Sequence, residues 1–151
     1  MVSVDLQNDE KLAKVPEPGL LKQWVEASLI TAYEQFEQTV RVVGEDESRA
    51  LNSQFRGIDR PTNVLAFPSE SDYLEYICLG DLVICAPVVI EEARQQGKSL
   101  EAHWAHMVVH GMLHLQGYSH DEDAEAEEME ALEVKILSTL GYSNPYNNQV
   151  P

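Results

Sequence analysis

The sequence predicts a single α+β domain, with a small mixed β-sheet of about four strands packed against four to five helices. A length of 151 residues suits one domain. Short stretches with strand-like alternation of apolar and polar residues also interleave with stretches of helical periodicity. No apolar run approaches the roughly 20 residues of a membrane span, and the N-terminus lacks the basic and apolar regions of a signal peptide. We therefore expect a cytoplasmic protein.

The first part of the chain predicts two strands and two helices. Residues 2–8 (VSVDLQN) alternate as a half-buried strand does. From Pro18 to about Glu37, apolar residues recur at helical spacing, which predicts one long amphipathic helix. The next predicted elements are a strand over 39–45, a short helix over 46–55 and a turn over 57–63.

Two more strands are predicted over residues 63–69 (NVLAFPS) and 76–85 (YICLGDLVIC). The second contains both cysteines, Cys78 and Cys85. In an extended strand these residues point to opposite faces and lie about 23 Å apart, too far for a disulfide. We therefore expect buried thiols in a reducing compartment.

The last part of the chain predicts three helices. Residues 87–96 begin with a proline, which suits a first helical turn, and are followed by a glycine, which ends a helix. Ser99 is a suitable N-cap for a helix over 100–116. A final helix runs from about Asp121 to Leu140, and its acidic start complements the helix dipole.

The formal charge of −16 is unfavourable for a protein that wraps nucleic acid. The charges are unevenly distributed, however. Eight acids lie between Asp121 and Glu133. Four of the ten basic residues fall within twenty positions: Arg41, Arg49, Arg56 and Arg60. We expect a basic groove lined by some of these arginines, with the acidic last helix facing away from it or toward a protein partner.

All five histidines occur within eighteen positions. On a helical wheel, four of them share one narrow face of an otherwise apolar helix: His103, His106, His110 and His114. His110 and His114 are four residues apart, so both can bind one ion. Gly117 favours a left-handed turn that lets the chain double back and brings His120 to the same ion.

Three neutral imidazoles favour one Zn²⁺, or another divalent first-row metal, with a fourth position open to water. The spacing HxxxHxxGxxH is also that of the metzincin proteases. Those enzymes carry their glutamate base directly after the first histidine, where this chain has Gly111, which disfavours a protease. A structural zinc, or histidines that are only hydrogen-bonded, remain alternatives. The roles of His103 and His106 stay open.

A second group of polar residues surrounds the predicted turn. Arg56 and Arg60 bracket it, and Thr62 and Asn63 end it. Arginine suits phosphate oxygens, and beside a metal it would stabilise the charge of a phosphoryl transition state. Most exposed arginines only make weak surface pairs, however, and Thr62 and Asn63 suit turn stabilisation equally well.

Four segments in this order closely resemble the YbeY family of bacterial endoribonucleases: FRGIDRPTNVLAFP, LGDLVIC, EAHWAHMVVHG and HGMLHLQGYSH. The resemblance implies zinc bound by His110, His114 and His120, and a functional arginine at Arg56. It also implies cleavage of single-stranded RNA in ribosomal RNA maturation, especially at the 16S 3′ end, and a part in ribosome quality control. The implied partners are the small ribosomal subunit and its assembly factors, with neither DNA nor membrane expected.

The expected organisation is a single metal-dependent hydrolase domain over residues 1–142, followed by a frayed tail over 143–151. Two residues depart from the family pattern, namely Ser119 where the family usually has aspartate and Ala66 where it usually has serine. The first removes a charge near the metal. Either water or the RNA 2′-hydroxyl could be the nucleophile. The alternative functions are a ribosome-assembly adaptor with a structural zinc and a metallohydrolase of another substrate.

Overall fold

The structure, a computed structural model, describes residues 1–69, 78–119 and 121–146. In chain order its elements are β1 (Val2–Gln7), α1 (Pro18–Ser28), β2 (Phe36–Val43), α2 (Glu45–Arg56), β3 (Val64–Pro68), β4 (Gly80–Cys85), α3 (Ala86–Gln96), α4 (Leu100–Leu115) and α5 (Asp123–Thr139). One sheet of four strands and five helices in this part of the chain confirm the predicted α+β class. None of the described helices combines the length and apolar character that crossing a membrane requires.

The sheet is mixed, with strand order β1-β2-β4-β3. β1 and β4 both run parallel to β2, and β3 runs antiparallel to β4. Side chains alternate between two cores. Val64, Leu82 and Ile84 belong to the main core with α1, α4 and α5, whereas a smaller cluster lies on the other side with α2. β3 therefore carries one row of side chains toward α4, which is the row that forms the site.

The first helix is shorter than predicted. It ends at Ser28, and the expectation that it continues to about Glu37 is wrong. Phe36 already pairs with Val2 in the parallel β1–β2 ladder, so the last residues of the predicted helix belong to β2. The β-branched Ile30 has a lower helix propensity than Leu29 before it. Strand pairing here overrides the apolar periodicity of the local sequence.

The second part of the chain follows the predictions closely. The predicted strand over 76–85 is observed as Gly80–Cys85, and its first two residues lie outside the described part of the chain. Cys78 and Cys85 are free thiols, as expected, but only Cys85 is buried and Cys78 is half-buried. Gly97 ends α3 with a φ of 65°.

α4 is the central helix, with eleven of its sixteen residues buried. Its N-cap is confirmed, because the Ser99 hydroxyl accepts a hydrogen bond from the Ala102 amide at 3.1 Å. At the other end Gly117 has a φ of 97°, and the Tyr118 amide donates to the Leu113 carbonyl at 3.0 Å. This is the 6→1 bond of a Schellman motif. The predicted turn after the histidine helix is therefore present. His120 itself lies outside the described residues.

Candidate active site

The four helical histidines form a continuous row along α4. Neighbouring rings contact each other edge to face, with centroids 6.1 Å apart for His103 and His106, 6.3 Å for His106 and His110, and 4.7 Å for His110 and His114. The shared face predicted from the helical wheel is confirmed. The row begins in the protein core, where His103 is 2% exposed, and ends at a cavity.

His110 and His114 present the same ring nitrogen to each other. Their Nε2 atoms are 3.2 Å apart. Two nitrogens bound to one tetrahedral zinc at 2.0–2.1 Å would be separated by roughly 3.3 Å. The spacing of this pair therefore fits a shared divalent ion, and imidazole nitrogen is a ligand that zinc and other late first-row metals prefer.

A second set of possible metal ligands lies next to His110. His106, His110 and Glu133 each offer one ligand atom, and these atoms lie within 4.8 Å of one another. This His-His-Glu group could hold a metal ion. The described part of the chain thus places metal-ligand chemistry around His110, which belongs to both sets.

Glu133 is a fully buried carboxylate of α5. Its Oε1 lies 2.7 Å from His110 Nδ1, and its Oε2 lies 2.6 Å from His106 Nε2. The Tyr146 hydroxyl donates to Oε2 at 2.5 Å. Burial raises the pKa of Glu133, but the hydrogen bonds from His106 and His110 outweigh burial and bring the pKa to about 2. Burial lowers the pKa of His106, so a neutral imidazole faces an ionised carboxylate.

His103 takes part in a different pair. Its Nε2 is 2.9 Å from Glu92 Oε1, and the Asn63 side-chain amide donates to the same oxygen at 3.1 Å. Burial raises the pKa of Glu92, but the hydrogen bonds from His103 and Asn63 lower it further than burial raises it. His103 is therefore a hydrogen-bonded core histidine. The side-chain oxygen of Asn63 also accepts from the Val64 amide at 2.7 Å, so Asn63 stabilises the start of β3.

A cavity of about 450 Å³ opens at the His114 end of the row. It is lined by Arg56, by residues 62–66 and Pro68, by His110, Gly111 and His114, and by Asp121. The structure thus brings together the predicted arginine and two of the three predicted metal ligands. The third, His120, lies outside the described residues.

Arg56 reaches the cavity because two buried polar residues of α2 hold the following turn. The Ser48 hydroxyl donates to the Thr62 carbonyl at 3.0 Å and accepts from the Thr62 amide at 2.9 Å. The Asn52 amide group donates to the Arg60 carbonyl at 2.9 Å. These bonds fix residues 60–62 against α2, whose last residue is Arg56. Neither residue was predicted, because serine and asparagine within a short polar helix carry no distinctive sequence pattern.

The other three arginines of the predicted basic groove do not line the cavity within the described chain. Arg41 forms ion pairs with Asp9 at 2.9 Å and Glu47 at 2.7 Å. Arg49 pairs with Asp59 at 2.7 Å. Acidic neighbours therefore neutralise two of the four arginines, and Arg56 supplies the positive charge at the cavity.

Glu133 was missed because it ends the acidic run of the last helix, which we expected to face away from the site. The sequence nevertheless contained a signal that Glu133 is buried. Met129, Ile136 and Leu137 are buried on the same face of α5, and Glu133 interrupts that apolar stripe at helical spacing. A carboxylate in such a stripe requires a buried partner.

Comparison with known proteins identifies the family and agrees with the architecture. The model of the family described as Endoribonuclease YbeY matches residues 5–141. The solution structure of TM1509 from Thermotoga maritima is similar at a TM-score of 0.60 and 32% sequence identity, covering 91% of this chain and 87% of that chain. The match over most of its length shows that the chain belongs to the YbeY family of endoribonucleases, nucleases that act on RNA in ribosomal RNA maturation.

Proposed function

We propose that the protein is a zinc-dependent endoribonuclease specific for single-stranded RNA, which matures the 3′ end of 16S ribosomal RNA and takes part in ribosome quality control. The observation that carries this proposal is the meeting of His110, His114 and Arg56 in one cavity. A metal-ligand pair next to an arginine is a combination that can promote phosphodiester hydrolysis. Because ribosomal RNA is the proposed substrate, the cytoplasm is the proposed compartment.

The proposed ligands of a single zinc ion are His110, His114 and His120. The 3.2 Å separation of the first two Nε2 atoms supports them. The turn at Gly117 supports the third, since a glycine with positive φ at the end of α4 lets the chain change direction before residue 120. When bound, a divalent ion of this kind polarises a phosphoryl oxygen and lowers the pKa of a coordinated water.

Arg56 binds the scissile phosphate in this proposal. Its planar guanidinium can donate two parallel hydrogen bonds to phosphate oxygens. The same donors stabilise the additional negative charge that develops as the phosphorus is attacked. The position of Arg56 at the end of α2, fixed by the Ser48 and Asn52 bonds, keeps the guanidinium at the cavity wall.

Asp121 is the carboxylate of the cavity lining in the described chain. It can accept a proton from the attacking group, whether that group is water or the RNA 2′-hydroxyl. The product ends distinguish the two nucleophiles, because a 2′,3′-cyclic phosphate forms only from attack by the 2′-hydroxyl.

The depth of the site supports a single-stranded substrate. The His110 side chain is 19% exposed, so a phosphate must enter the cavity to approach it. A flexible single strand can splay its bases and bend to deliver a phosphate, whereas a regular duplex keeps its backbone on a smooth outer surface.

The proposed partners are the small ribosomal subunit and its associated assembly factors. The first turns of α5 carry exposed acidic side chains, including Glu125, Glu127 and Glu128. This surface repels RNA and suits a basic protein partner. The RNA would approach from the Arg56 side of the cavity.

The deciding experiment compares the wild type with His114→Ala and with His103→Gln as a matched control on the same helix. We expect His114→Ala to retain its fold, to bind less zinc and to lose cleavage of a single-stranded ribosomal RNA fragment, while His103→Gln remains active. Metal content, circular dichroism and cleavage are measured on the same preparations.

Two results would contradict the proposal. Unfolding of His114→Ala together with loss of zinc would indicate a structural metal and favour an assembly adaptor. Full cleavage by a metal-free preparation would exclude the metal-dependent mechanism.

A further inference from the structure

We propose that Glu133 is a positioning residue that fixes the tautomer and ring orientation of His110, and that His106 and Tyr146 hold the carboxylate for this task. The inference deepens the proposed function, because it concerns how one of the proposed metal ligands is prepared. It assigns a role to His106, to Tyr146 and to a carboxylate from a different helix.

The distances identify Glu133 as a hydrogen-bond acceptor of His110. Its Oε1 is 2.7 Å from His110 Nδ1, the length of a charge-assisted N–H···O bond. Two ligand atoms of one tetrahedral ion would be separated by roughly 3.3 Å. With the proton on Nδ1, the Nε2 atom of His110 carries its lone pair toward His114 Nε2.

The carboxylate is itself held in place from the other side. His106 Nε2 and the Tyr146 hydroxyl both contact Oε2, at 2.6 and 2.5 Å. Their hydrogen bonds leave Oε1 for His110. Because Glu133 is fully buried, its carboxylate cannot rotate without losing its bonds to His110, His106 and Tyr146.

A second carboxylate–histidine pair, formed by Glu92 of α3 and His103 of α4, offers a matched control. Glu92 accepts a hydrogen bond from His103 at 2.9 Å, so the chemistry resembles that of the Glu133–His110 pair. His103 does not line the cavity among the described residues. A substitution of Glu92 therefore removes a half-buried carboxylate from a histidine of α4 without touching the proposed metal ligands.

The test uses full-length, metal-free protein with ¹⁵N-labelled histidine. Imidazole ¹⁵N shifts report which ring nitrogen of His110 carries the proton in the wild type, in Glu133→Leu and in Glu92→Leu. We expect the proton on Nδ1 in the wild type and in Glu92→Leu, and a mixture of tautomers in Glu133→Leu. Zinc affinity, measured by competition with a chromophoric chelator, should fall about 10- to 100-fold in Glu133→Leu alone.

The proposal is overturned if His110 keeps its proton on Nδ1 in Glu133→Leu, or if both variants lose zinc affinity equally. If Glu133→Leu does not fold, Glu133→Met, which also lacks an oxygen acceptor, is measured by the same two criteria against Glu92→Met. No RNA is present in either measurement. If the tautomers change as expected but the wild type does not cleave RNA, the nuclease proposal is refuted and the positioning role of Glu133 is still supported.

Discussion

Gly111 of α4 lies directly against Leu82 of β4. A Cβ atom placed on the glycine would be 2.6 Å from Leu82 Cδ2 and 3.2 Å from Val64 Cγ2. The missing side chain therefore lets the helix approach the sheet next to His110, where the cavity has its floor. In the sequence, Gly111 only disfavours a protease. The structure adds a packing reason, because a glutamate at this position could not fit without displacing Leu82.

Replacing Gly111 with alanine should destabilise the protein. Alanine has the higher helix propensity, but the added methyl group overlaps Leu82, and such overpacking costs about 1–3 kcal/mol. The free energy of unfolding from chemical denaturation measures the effect. Gly19→Ala in α1 is the control, since a Cβ placed on Gly19 meets nothing within 4 Å, and it should be neutral or slightly stabilising. Equal stability of Gly111→Ala and wild type would show that the sheet and helix adjust freely.

Replacing Arg56 with alanine should reduce RNA cleavage about 100-fold or more, because it removes the donor proposed to stabilise the transition-state charge. Arg56→Lys should recover only part of the rate, since lysine lacks the planar pair of donors. Arg49→Ala is the matched control on the same helix. Arg49 pairs with Asp59 and does not line the described cavity, so its rate should stay within about twofold.

Single-turnover rates measured over a range of RNA concentrations separate the chemical step, observed at saturating RNA, from RNA binding. Equal losses in Arg56→Ala and Arg49→Ala would indicate a general effect of positive charge on RNA binding. A loss confined to KM would assign Arg56 to binding alone.

The features that sequence predicted well depend on local physical rules. The histidine face of α4, the Ser99 cap and the turn at Gly117 each follow from helical spacing or from backbone preference. The arginine of the site was reached through its chemistry and through family resemblance. In each case the deciding residues lie within a few positions of one another.

The features that sequence did not predict depend on contacts between distant elements. The early end of α1 follows from pairing of Phe36 with Val2, 34 positions away. Glu133 reaches His110 from 23 positions away, and Asp121 was counted only as part of an acidic run. Ser48 and Asn52 acquire their roles only when residues 60–62 fold back onto α2. The periodicity of a local sequence does not indicate which distant residues come into contact.

Acid should destabilise the protein through Glu133. Its folded-state pKa of about 2 lies below the ordinary value of 4.5, so its contribution to stability is complete above about pH 4.5 and is lost as the pH falls toward 2. The difference corresponds to about 3 kcal/mol. Free energies of unfolding between pH 7 and 2, measured with a chelator present, test this.

The pH dependence should be weaker in Glu133→Gln, which cannot ionise at position 133. Glu130→Gln removes an exposed carboxylate from the same helix and should follow the wild-type curve. An unchanged curve in Glu133→Gln would mean that other groups dominate acid unfolding.

Ser119 directly precedes His120, the third proposed metal ligand, and stands where the sequence resemblance leads us to expect an aspartate. Its hydroxyl accepts a hydrogen bond from the Asp121 amide at 3.1 Å, and an aspartate carboxylate can accept the same bond in an Asx turn. Ser119→Asp should therefore keep the turn and add a negative charge next to the proposed ligand His120. We expect zinc affinity to rise roughly 10-fold. Ser119→Asn is the uncharged control, since it can accept the same bond, and chelator competition measures all three proteins. Equal affinities for the aspartate and asparagine variants would show that charge at this position does not tune the metal, and that the serine is tolerated because it preserves the turn.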